Sequence, residues 1–298
     1  MRIHTIDLNF LGLKQAIAAY LVVGPGGPVL VETGPGSTQE ALVAGLAEHG
    51  LAPGDLEAAL ISHIHLDHAG AAGWLAAQGV TICVHPLGAP HLISPERLLH
   101  SAGRIYGDEM DRLWGEMLAA PAERVRAVED GEVVVAGGLR FRAIETKGHA
   151  GHHHTWLIEG RSIAFTGDVA GVRMPGEDML AVPAPPPEID LDAWNASLVQ
   201  LSRLGLKRIY PTHFGAFDDV EGHLERLRDE LEVCADFIHQ AMLAGKTREE
   251  IVPAYLQWQR ERAASKGIGD AAMQGYEAAN PLEMSVDGLM RYWRKRGV

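Results

Sequence analysis

The sequence is poor in cysteine, with only Cys83 and Cys234 among its 298 residues. Because these two residues lie far apart, they form neither the regular spacing of a disulfide framework nor a thiolate metal motif. Cys83 falls in the apolar run at residues 80–84, and Cys234 falls in a helical pattern. A reducing compartment fits best, so we expect a cytoplasmic protein.

Basic residues and long apolar runs are also scarce. The 26 Lys and Arg residues stand against 39 Asp and Glu residues, which leaves a net charge of -13. Since nucleic-acid binding needs a positive surface that displaces counterions, this balance argues against a nucleic-acid partner. No apolar stretch reaches the roughly 18 residues of a membrane-spanning helix, and residues 1–7 lack the apolar centre of a signal peptide. We expect a soluble protein that is neither exported nor membrane-bound.

Histidine is instead concentrated in one short segment. Residues 62–70 read Ser-His-Ile-His-Leu-Asp-His-Ala-Gly and directly follow the apolar run at residues 58–61. His63, His65, Asp67 and His68 can therefore all point into one cleft from the end of a strand. Imidazole nitrogen together with carboxylate oxygen suits zinc, iron or manganese, whereas magnesium and calcium sites are built almost wholly from oxygen. The segment predicts a transition-metal site.

One short segment cannot fill two coordination spheres, so further ligands should follow downstream. His149 stands in Gly-His-Ala-Gly, Asp168 in Phe-Thr-Gly-Asp, and His213 in Pro-Thr-His-Phe-Gly. Each of them follows a short β-rich run and lies beside glycine or another small residue, as expected where a strand end turns tightly around a metal. Seven side chains are thus candidates to hold two metal ions.

These motifs resemble those of the metallo-β-lactamase-fold hydrolases, in particular the glyoxalase II and lactonase-like branch. The resemblance covers roughly residues 1–215 and rests on the His-x-His-x-Asp-His motif followed by His, Asp and His in the family's order. It implies an α/β fold, a four-layer αβ/βα sandwich with the metals along one edge. It also implies that one metal is held by His63, His65 and His149, the other by Asp67, His68 and His213, and that Asp168 bridges them.

Such a site can hydrolyse a substrate without a serine or cysteine nucleophile. Two cations about 3.5 to 4 Å apart acidify a shared water, so that hydroxide exists near neutral pH, and they polarise the bond that is cleaved. Asp67 is the candidate catalytic residue, because it can orient the hydroxide and later pass a proton to the leaving group. We expect two zinc ions, with iron or manganese as alternatives.

Departures from the family's patterns narrow the function. Asp168 stands where the best-known antibiotic-hydrolysing zinc enzymes of the family carry cysteine, which argues against a β-lactamase. Glu32, in Leu-Val-Glu-Thr-Gly, stands where many relatives have aspartate. It is either hydrogen-bonded near the metal loop or an ordinary acid at a strand end.

Four further residues are candidates for substrate contacts. Arg173 follows Asp168 closely and offers a planar contact to a substrate carboxylate or phosphate, unless it is a surface arginine paired with Glu177 or Asp178. Tyr106 could donate to a developing oxyanion. His152 and His153 could orient a ligand or contact substrate, although a packed or solvated histidine is the favoured interpretation of each.

The remaining sequence predicts how the chain is organised. Residues 1–217 form the catalytic domain, with a helical insertion at about residues 86–122, and residues 218–298 form a helical extension packed on it. Residues 16–23 and 27–33 predict a β-hairpin. A capping box over residues 37–40 predicts a helix that ends near residue 50. Helices are predicted over residues 221–244, 248–264 and 282–295, and this tail could cover the site, bind part of the substrate or form a homodimer surface.

The predicted function is therefore a di-metal hydrolase that cleaves an ester, lactone, thioester or phosphoester of a small molecule. The alternative is an iron-dependent persulfide dioxygenase, because relatives of that kind retain nearly the same histidines and bind one iron through residues corresponding to His63, His149 and Asp168. A non-catalytic binding protein is the weaker alternative, since none of the ligand positions is missing.

Overall fold

The structure, a computed structural model, describes all residues 1–298 and contains two β-sheets. The first sheet has the order β1-β2-β3-β4-β5-β6, with strands β1 (Arg2–Asp7), β2 (Ala18–Val23), β3 (Pro28–Val31), β4 (Ala58–Leu60), β5 (Thr81–Val84) and β6 (Val125–Ala127). The second has the order β11-β10-β9-β8-β7, with strands β7 (Val133–Ala136), β8 (Leu139–Glu145), β9 (His154–Ile158), β10 (Ile163–Gly167) and β11 (Arg208–Pro211).

Helices lie outside both sheets and in the C-terminal region. They are α1 (Gln39–Ala47), α2 (Leu66–Ala69), α3 (Ala72–Ala77), α4 (Ala89–Ile93), α5 (Glu96–Tyr106), α6 (Met110–Trp114), α7 (Leu191–Ser202), α8 (Val220–Leu243), α9 (Arg248–Ser265), α10 (Asp270–Ala279) and α11 (Leu282–Arg294). Five short 3-10 helices span Phe10–Gly12, Gly36–Thr38, Pro53–Asp55, Gly107–Glu109 and Ala122–Arg124. None of the helices has the length and apolar character needed to cross a bilayer.

Strand β2 shows why the layers form. Because side chains alternate between the two faces of a strand, Ala19 and Leu21 contribute to the core beneath the outer helices. Tyr20 and Val22 point the other way, into the core between the two sheets. A third core packs helices α7, α8, α9 and α11 against the far side of the second sheet. The predicted four-layer αβ/βα sandwich is confirmed.

The predicted hairpin is confirmed, because β2 and β3 pair antiparallel with Tyr20 opposite Val31. The predicted capping box is wrong. Residues 36–38 form a 3-10 helix instead, and no side chain caps α1. The hydroxyl of Thr38 donates to the Pro35 carbonyl oxygen, and that of Ser37 donates to the Leu113 carbonyl oxygen in the insertion. Packing against the insertion has therefore taken the hydroxyl that was assigned to the cap.

The helical regions follow the prediction closely. The insertion contributes α4, α5 and α6, which pack on the outer core of the first sheet. In the C-terminal region α8, α9 and α11 match the predicted helices, and α10 is an additional helix between α9 and α11. The core beneath α8, α9 and α11 also includes residues from the second half of the sandwich, such as Leu198 and Ile209. A separate domain beginning at residue 218 stays a prediction.

Sheet direction explains how distant motifs meet. The pairs β8–β9 and β9–β10 are antiparallel and β10–β11 is parallel, so β8, β10 and β11 run the same way. Their C-terminal ends therefore share one edge of the sheet. The loops that leave those ends carry His149, Asp168 and His213, whereas the motif at residues 62–70 leaves the end of β4 in the other sheet.

Candidate metal centre

The seven predicted ligand side chains come together at this edge. They form three overlapping groups whose ligand atoms lie within 4.8 Å of one another: His63, His65 and His149; His63, His68 and Asp168; and Asp67, His68 and His213. Five of the seven residues are buried, whereas His65 is half-buried and the Asp67 side chain is 18% exposed. Sequence positions as far apart as residues 63 and 213 thus form one cluster.

In the first group, three imidazole nitrogens point at one another. The Nε2 atom of His63 lies 2.8 Å from Nδ1 of His65, and the Nε2 atom of His149 lies 3.1 Å and 3.0 Å from those two atoms. The other nitrogen of His149 donates to the Pro183 carbonyl oxygen at 2.7 Å, so its Nε2 presents a lone pair to the group. A shared cation would satisfy such convergent lone pairs better than hydrogen bonds among the rings.

The third group, which faces Asp168, has the same character. The Nδ1 atom of His213 donates to the Ala16 carbonyl oxygen at 2.7 Å, so in the neutral ring its Nε2 carries the lone pair. That lone pair faces Oδ2 of Asp67 at 3.3 Å and Oδ1 of Asp168 at 3.4 Å. Nitrogen and oxygen lone pairs repel each other at this range unless a proton or a cation lies between them. Accordingly, Nε2 of His68, Nε2 of His213 and Oδ1 of Asp168 are buried without hydrogen-bond partners.

The two oxygens of Asp168 face different groups. Its Oδ1 atom lies 3.3 Å from Nε2 of His68, and its Oδ2 atom lies 3.3 Å from Nε2 of His149. A carboxylate in this position can contribute one oxygen to each of two metals. The donor set and its orphaned atoms therefore fit a pair of transition-metal ions with Asp168 between them.

The pKa shifts divide the cluster into two parts. Burial and the neighbouring imidazoles hold the pKa values of His63 and His65 well below the usual range, which keeps these rings in the neutral form that binds metal. Burial alone would also lower the pKa of His68, but the carboxylates of Asp67 and Asp168 outweigh it and raise that pKa well above its usual value. The side of the cluster near these carboxylates therefore favours positive charge.

Glu32 supports the cluster from behind. Its side chain is 1% exposed, and Oε1 lies 3.4 Å from Nδ1 of His68, the nitrogen that faces away from the other ligands. The same carboxylate accepts from the Ser62 backbone N–H at 3.3 Å and from the Thr212 hydroxyl at 3.2 Å. Of the two interpretations given for Glu32, hydrogen bonding near the metal loop is therefore confirmed.

His152 and His153, which follow His149 in the same loop, are both buried. His153 is fully buried; its Nδ1 lies 2.9 Å from the Thr146 hydroxyl, and its Nε2 accepts from the Asp168 backbone N–H at 3.1 Å. It therefore positions Asp168, a role that only the three-dimensional structure reveals. His152 lies 3.7 Å from Glu188 and lines the cavity next to the cluster, and its burial lowers its pKa to about 4.

A cavity of about 280 Å³ opens beside the cluster. It is lined by His65, Asp67, His149 and Asp168 from the cluster, by one face of α5, by Pro183 and residues 185–188, and by residues 278–281 and Met284. Eleven of its 26 lining residues are hydrophobic. The insertion and the C-terminal region thus both shape the space next to the cluster.

The two predicted substrate residues differ in placement. Tyr106 lines the cavity, and its hydroxyl donates to Sδ of Met284 at 3.3 Å. Burial and then the charge of Asp67 raise the pKa of this phenol, so it remains a neutral donor. Its contact with substrate stays a prediction.

Arg173 is absent from the cavity wall. Its Nε atom donates to the Glu177 carbonyl oxygen at 3.1 Å, and its guanidinium lies 4.7 Å from the centre of the Phe217 ring and 3.7 Å from Asp178. The predicted contact with a substrate anion therefore lacks support from the geometry, and the alternative of a surface pairing with Glu177 and Asp178 describes this residue better. The lining residue Arg97 was not predicted, because no local motif marks it.

Comparison with known proteins gives the family context. A model of the metallo-beta-lactamase superfamily matches residues 14–213, a range that includes all seven clustered side chains. The chain is 25% identical over 271 residues to the metallo-beta-lactamase fold-containing protein ST1585 of Sulfurisphaera tokodaii, with 88% of this chain and 98% of that protein covered. It is also 25% identical over 273 residues to the atrochrysone carboxyl ACP thioesterase nsrC of Aspergillus novofumigatus, with 90% of this chain and 67% of that protein covered.

Solved structures agree with this context at the level of the fold. A metallo-beta-lactamase family protein from Thermus thermophilus superposes with a TM-score of 0.73 at 22% identity, covering 99% of this chain and 94% of that one. The structure of ST1585 superposes with a TM-score of 0.70 at 23% identity, covering 96% and 97%. These comparisons support the superfamily but do not single out its glyoxalase II branch, which stays a prediction.

Proposed function

Since the chain belongs to the metallo-beta-lactamase superfamily, we propose that it is a metal-dependent hydrolase that binds two transition-metal ions, with zinc as the first choice, and cleaves an ester or thioester of a small molecule. One observation carries this proposal. The lone pairs of His149 and His213 are fixed toward the cluster, because the other nitrogen of each ring donates to a backbone carbonyl.

Two metals are favoured over one because the third group, formed by Asp67, His68 and His213, is complete. The alternative dioxygenase would need only His63, His149 and Asp168. In the structure Asp67, His68 and His213 also place their ligand atoms within 4.8 Å of one another. Glu32 holds the outer nitrogen of His68 in addition. Such support behind a ligand has a clear use if the ligand binds metal.

When bound, two such cations supply an acidified water and polarise the carbonyl oxygen of the substrate. The chain's own residues supply proton transfer and positioning. Asp67 lines the cavity with its side chain 18% exposed, so it can accept a proton from water and return it to the leaving group. Tyr106 can donate to the substrate from the α5 wall once its contact with Met284 is exchanged.

The cavity favours an apolar acyl group over a phosphoryl group. Its wall carries Ile64, Leu66, Leu98, Ile105 and Met284, whereas Arg97 is its only Arg or Lys residue. Phosphoester sites usually present several cationic groups to the substrate, since a phosphate carries more negative charge than a carboxylic ester. The thioesterase activity in the name of the fungal relative is consistent with an acyl substrate.

The test is metal analysis followed by a substrate screen. We expect close to two zinc ions per chain after growth with mixed metals. We also expect the zinc-loaded protein to cleave medium-chain aryl esters and acyl thioesters, and apoprotein to regain this activity on addition of zinc. One iron per chain, together with oxygen uptake on glutathione persulfide and no ester cleavage, would instead establish the dioxygenase.

A further inference from the structure

The cavity beside the cluster extends along one face of α5. Arg97, Leu98, Ser101, Ala102 and Ile105 all line it. Leu98, Ser101, Ala102 and Ile105 follow Arg97 by one, four, five and eight residues, which places the five side chains on a single side of the helix. Tyr106, the last residue of α5, lines the same cavity, and after burial the charge of Asp67 contributes to raising the pKa of its phenol. Arg97 near the start of α5 and Tyr106 at its end therefore both border the cavity that the cluster also lines.

The second wall comes from the C-terminal region. Residues 278–281 and Met284 line the cavity together with four prolines, Pro183 and residues 185–187. The contact of 3.3 Å between the Tyr106 hydroxyl and Sδ of Met284 joins this wall to α5. The space is thus a slot with largely apolar sides, which suits an extended carbon chain better than a compact polar group.

Arg97 is the only Arg or Lys residue that lines this slot. It is exposed and forms no ion pair or side-chain hydrogen bond in the structure. The acids that line the cavity with it are engaged elsewhere. Asp67 and Asp168 face the histidines of the cluster, and Glu188 accepts the Gly151 backbone N–H at 2.8 Å. The positive charge of Arg97 is therefore left for a ligand.

We propose that Arg97 binds a carboxylate at the far end of the substrate's acyl chain, so that the preferred substrates are monoesters or monothioesters of a medium-length dicarboxylic acid. This inference rests on the proposed function, because it takes the scissile bond to lie at the cluster. Guanidinium suits the task, since its planar pair of donors matches the two oxygens of a carboxylate.

The dimensions agree with an acid of about eight carbons. Arg97 lies nine residues before Tyr106, which corresponds to about 13 Å along the helix axis. An extended chain advances roughly 1.2 Å per bond, so an eight-carbon diacid spans about 9 Å between its carboxyl carbons. The long arginine side chain supplies the remaining reach.

Binding of products tests the inference without requiring turnover. Calorimetry would compare octanedioate with octanoate on the zinc-loaded protein, because the two ligands share chain length and differ in the second carboxylate. We expect about tenfold tighter binding of octanedioate, the effect of one charge-assisted contact. Arg97→Gln should abolish this preference, and Arg97→Lys should retain part of it. Arg104→Gln is the matched control, since Arg104 is an exposed residue of the same helix that does not line the cavity.

Turnover separates this inference from the proposed function. We expect the mono-4-nitrophenyl ester of octanedioic acid to show about tenfold higher kcat/KM than 4-nitrophenyl octanoate, and Arg97→Gln to remove the difference chiefly through KM. An equal preference in wild type and Arg97→Gln overturns the inference while the hydrolase stands. No measurable octanedioate binding also overturns it. Arg97-dependent binding without cleavage of either ester supports the anion site and contradicts the hydrolase.

Discussion

The substitution Glu32→Gln tests whether the carboxylate behind the cluster supports metal binding. Glu32 accepts from the Ser62 backbone N–H and the Thr212 hydroxyl and lies 3.4 Å from Nδ1 of His68, all within a site where it is 1% exposed. Glutamine keeps the shape but replaces one oxygen with a donor NH₂ group. At least one of the surrounding donors must then face another donor in a buried position.

The size of the effect follows from these contacts. All three distances lie at the long end of the hydrogen-bond range, so we use the lower part of the range for charged partners and expect about 1.5 to 2 kcal/mol of lost unfolding free energy. Glu32 has a φ of 65°, a conformation that both residues would adopt with the same strain, so the comparison isolates the polar change. Metal affinity should fall about 10- to 100-fold, because His68 loses the group that orients it.

Urea unfolding of the apoprotein gives the stability, and competition with a chromophoric chelator gives the zinc affinity. Glu40→Gln is the control, because Glu40 is an exposed residue in the first turn of α1 without a side-chain hydrogen bond. Loss of stability with wild-type zinc affinity would show that Glu32 is only a packed acid. If Glu32→Gln matched Glu40→Gln in both measurements, the argument from its hydrogen bonds would be refuted.

Three further predictions follow from single sites. Asp67→Asn should lower kcat by about 10²- to 10⁴-fold at saturating zinc with little change in the urea midpoint, and unchanged kcat would remove Asp67 from proton transfer. A Cβ at Gly148 would lie 2.3 Å from Cα of Trp194. Gly148→Ala should therefore lower the zinc content and reduce the unfolding free energy by about 1 to 3 kcal/mol. The control Gly160→Ala should keep its zinc, because no atom lies within 4 Å of the Cβ it adds. Burial lowers the pKa of His223 to about 4 from 6.5. Between these two pH values the unfolded chain binds more protons than the folded one, so the free energy of unfolding falls as pH drops from 6.5 to 4. His223→Gln should flatten this slope by about 1 kcal/mol per pH unit, and parallel slopes of wild type and variant in urea unfolding would contradict the assignment.

The agreement between sequence and structure is best where local chemistry decides the outcome. The alternation in β2 and the helical spacing of α8, α9 and α11 depend on burying one face, so periodicity alone predicts them. It is weaker where a side chain has several partners. The hydroxyl of Ser37 was assigned to a cap on α1, yet it donates to a carbonyl oxygen 76 residues away. Sequence spacing carries no information on such a competitor.

Arg173 and Arg97 show the same difference between what local sequence predicts and what long-range packing decides. Arg173 follows a predicted ligand closely in sequence, but the chain turns its guanidinium toward Phe217 and Asp178. Arg97 lies in an insertion far from every ligand in sequence, yet it lines the cavity. Proximity along the chain is a poor guide to a substrate pocket, because such a pocket forms between elements whose packing depends on the whole fold.

The sequence by itself determined the fold and the set of candidate ligands, since the residues that can hold transition metals are few and their order along the chain is distinctive. Only the tertiary structure decided what surrounds them: Glu32 behind His68, His153 behind Asp168, and Met284 across the slot from α5. The physical reason is the separation along the chain of the residues that decide each property. Ligand chemistry and side-chain periodicity reside in single residues and their neighbours, whereas orientation, burial and cavity shape arise from contacts between segments that lie far apart in the chain.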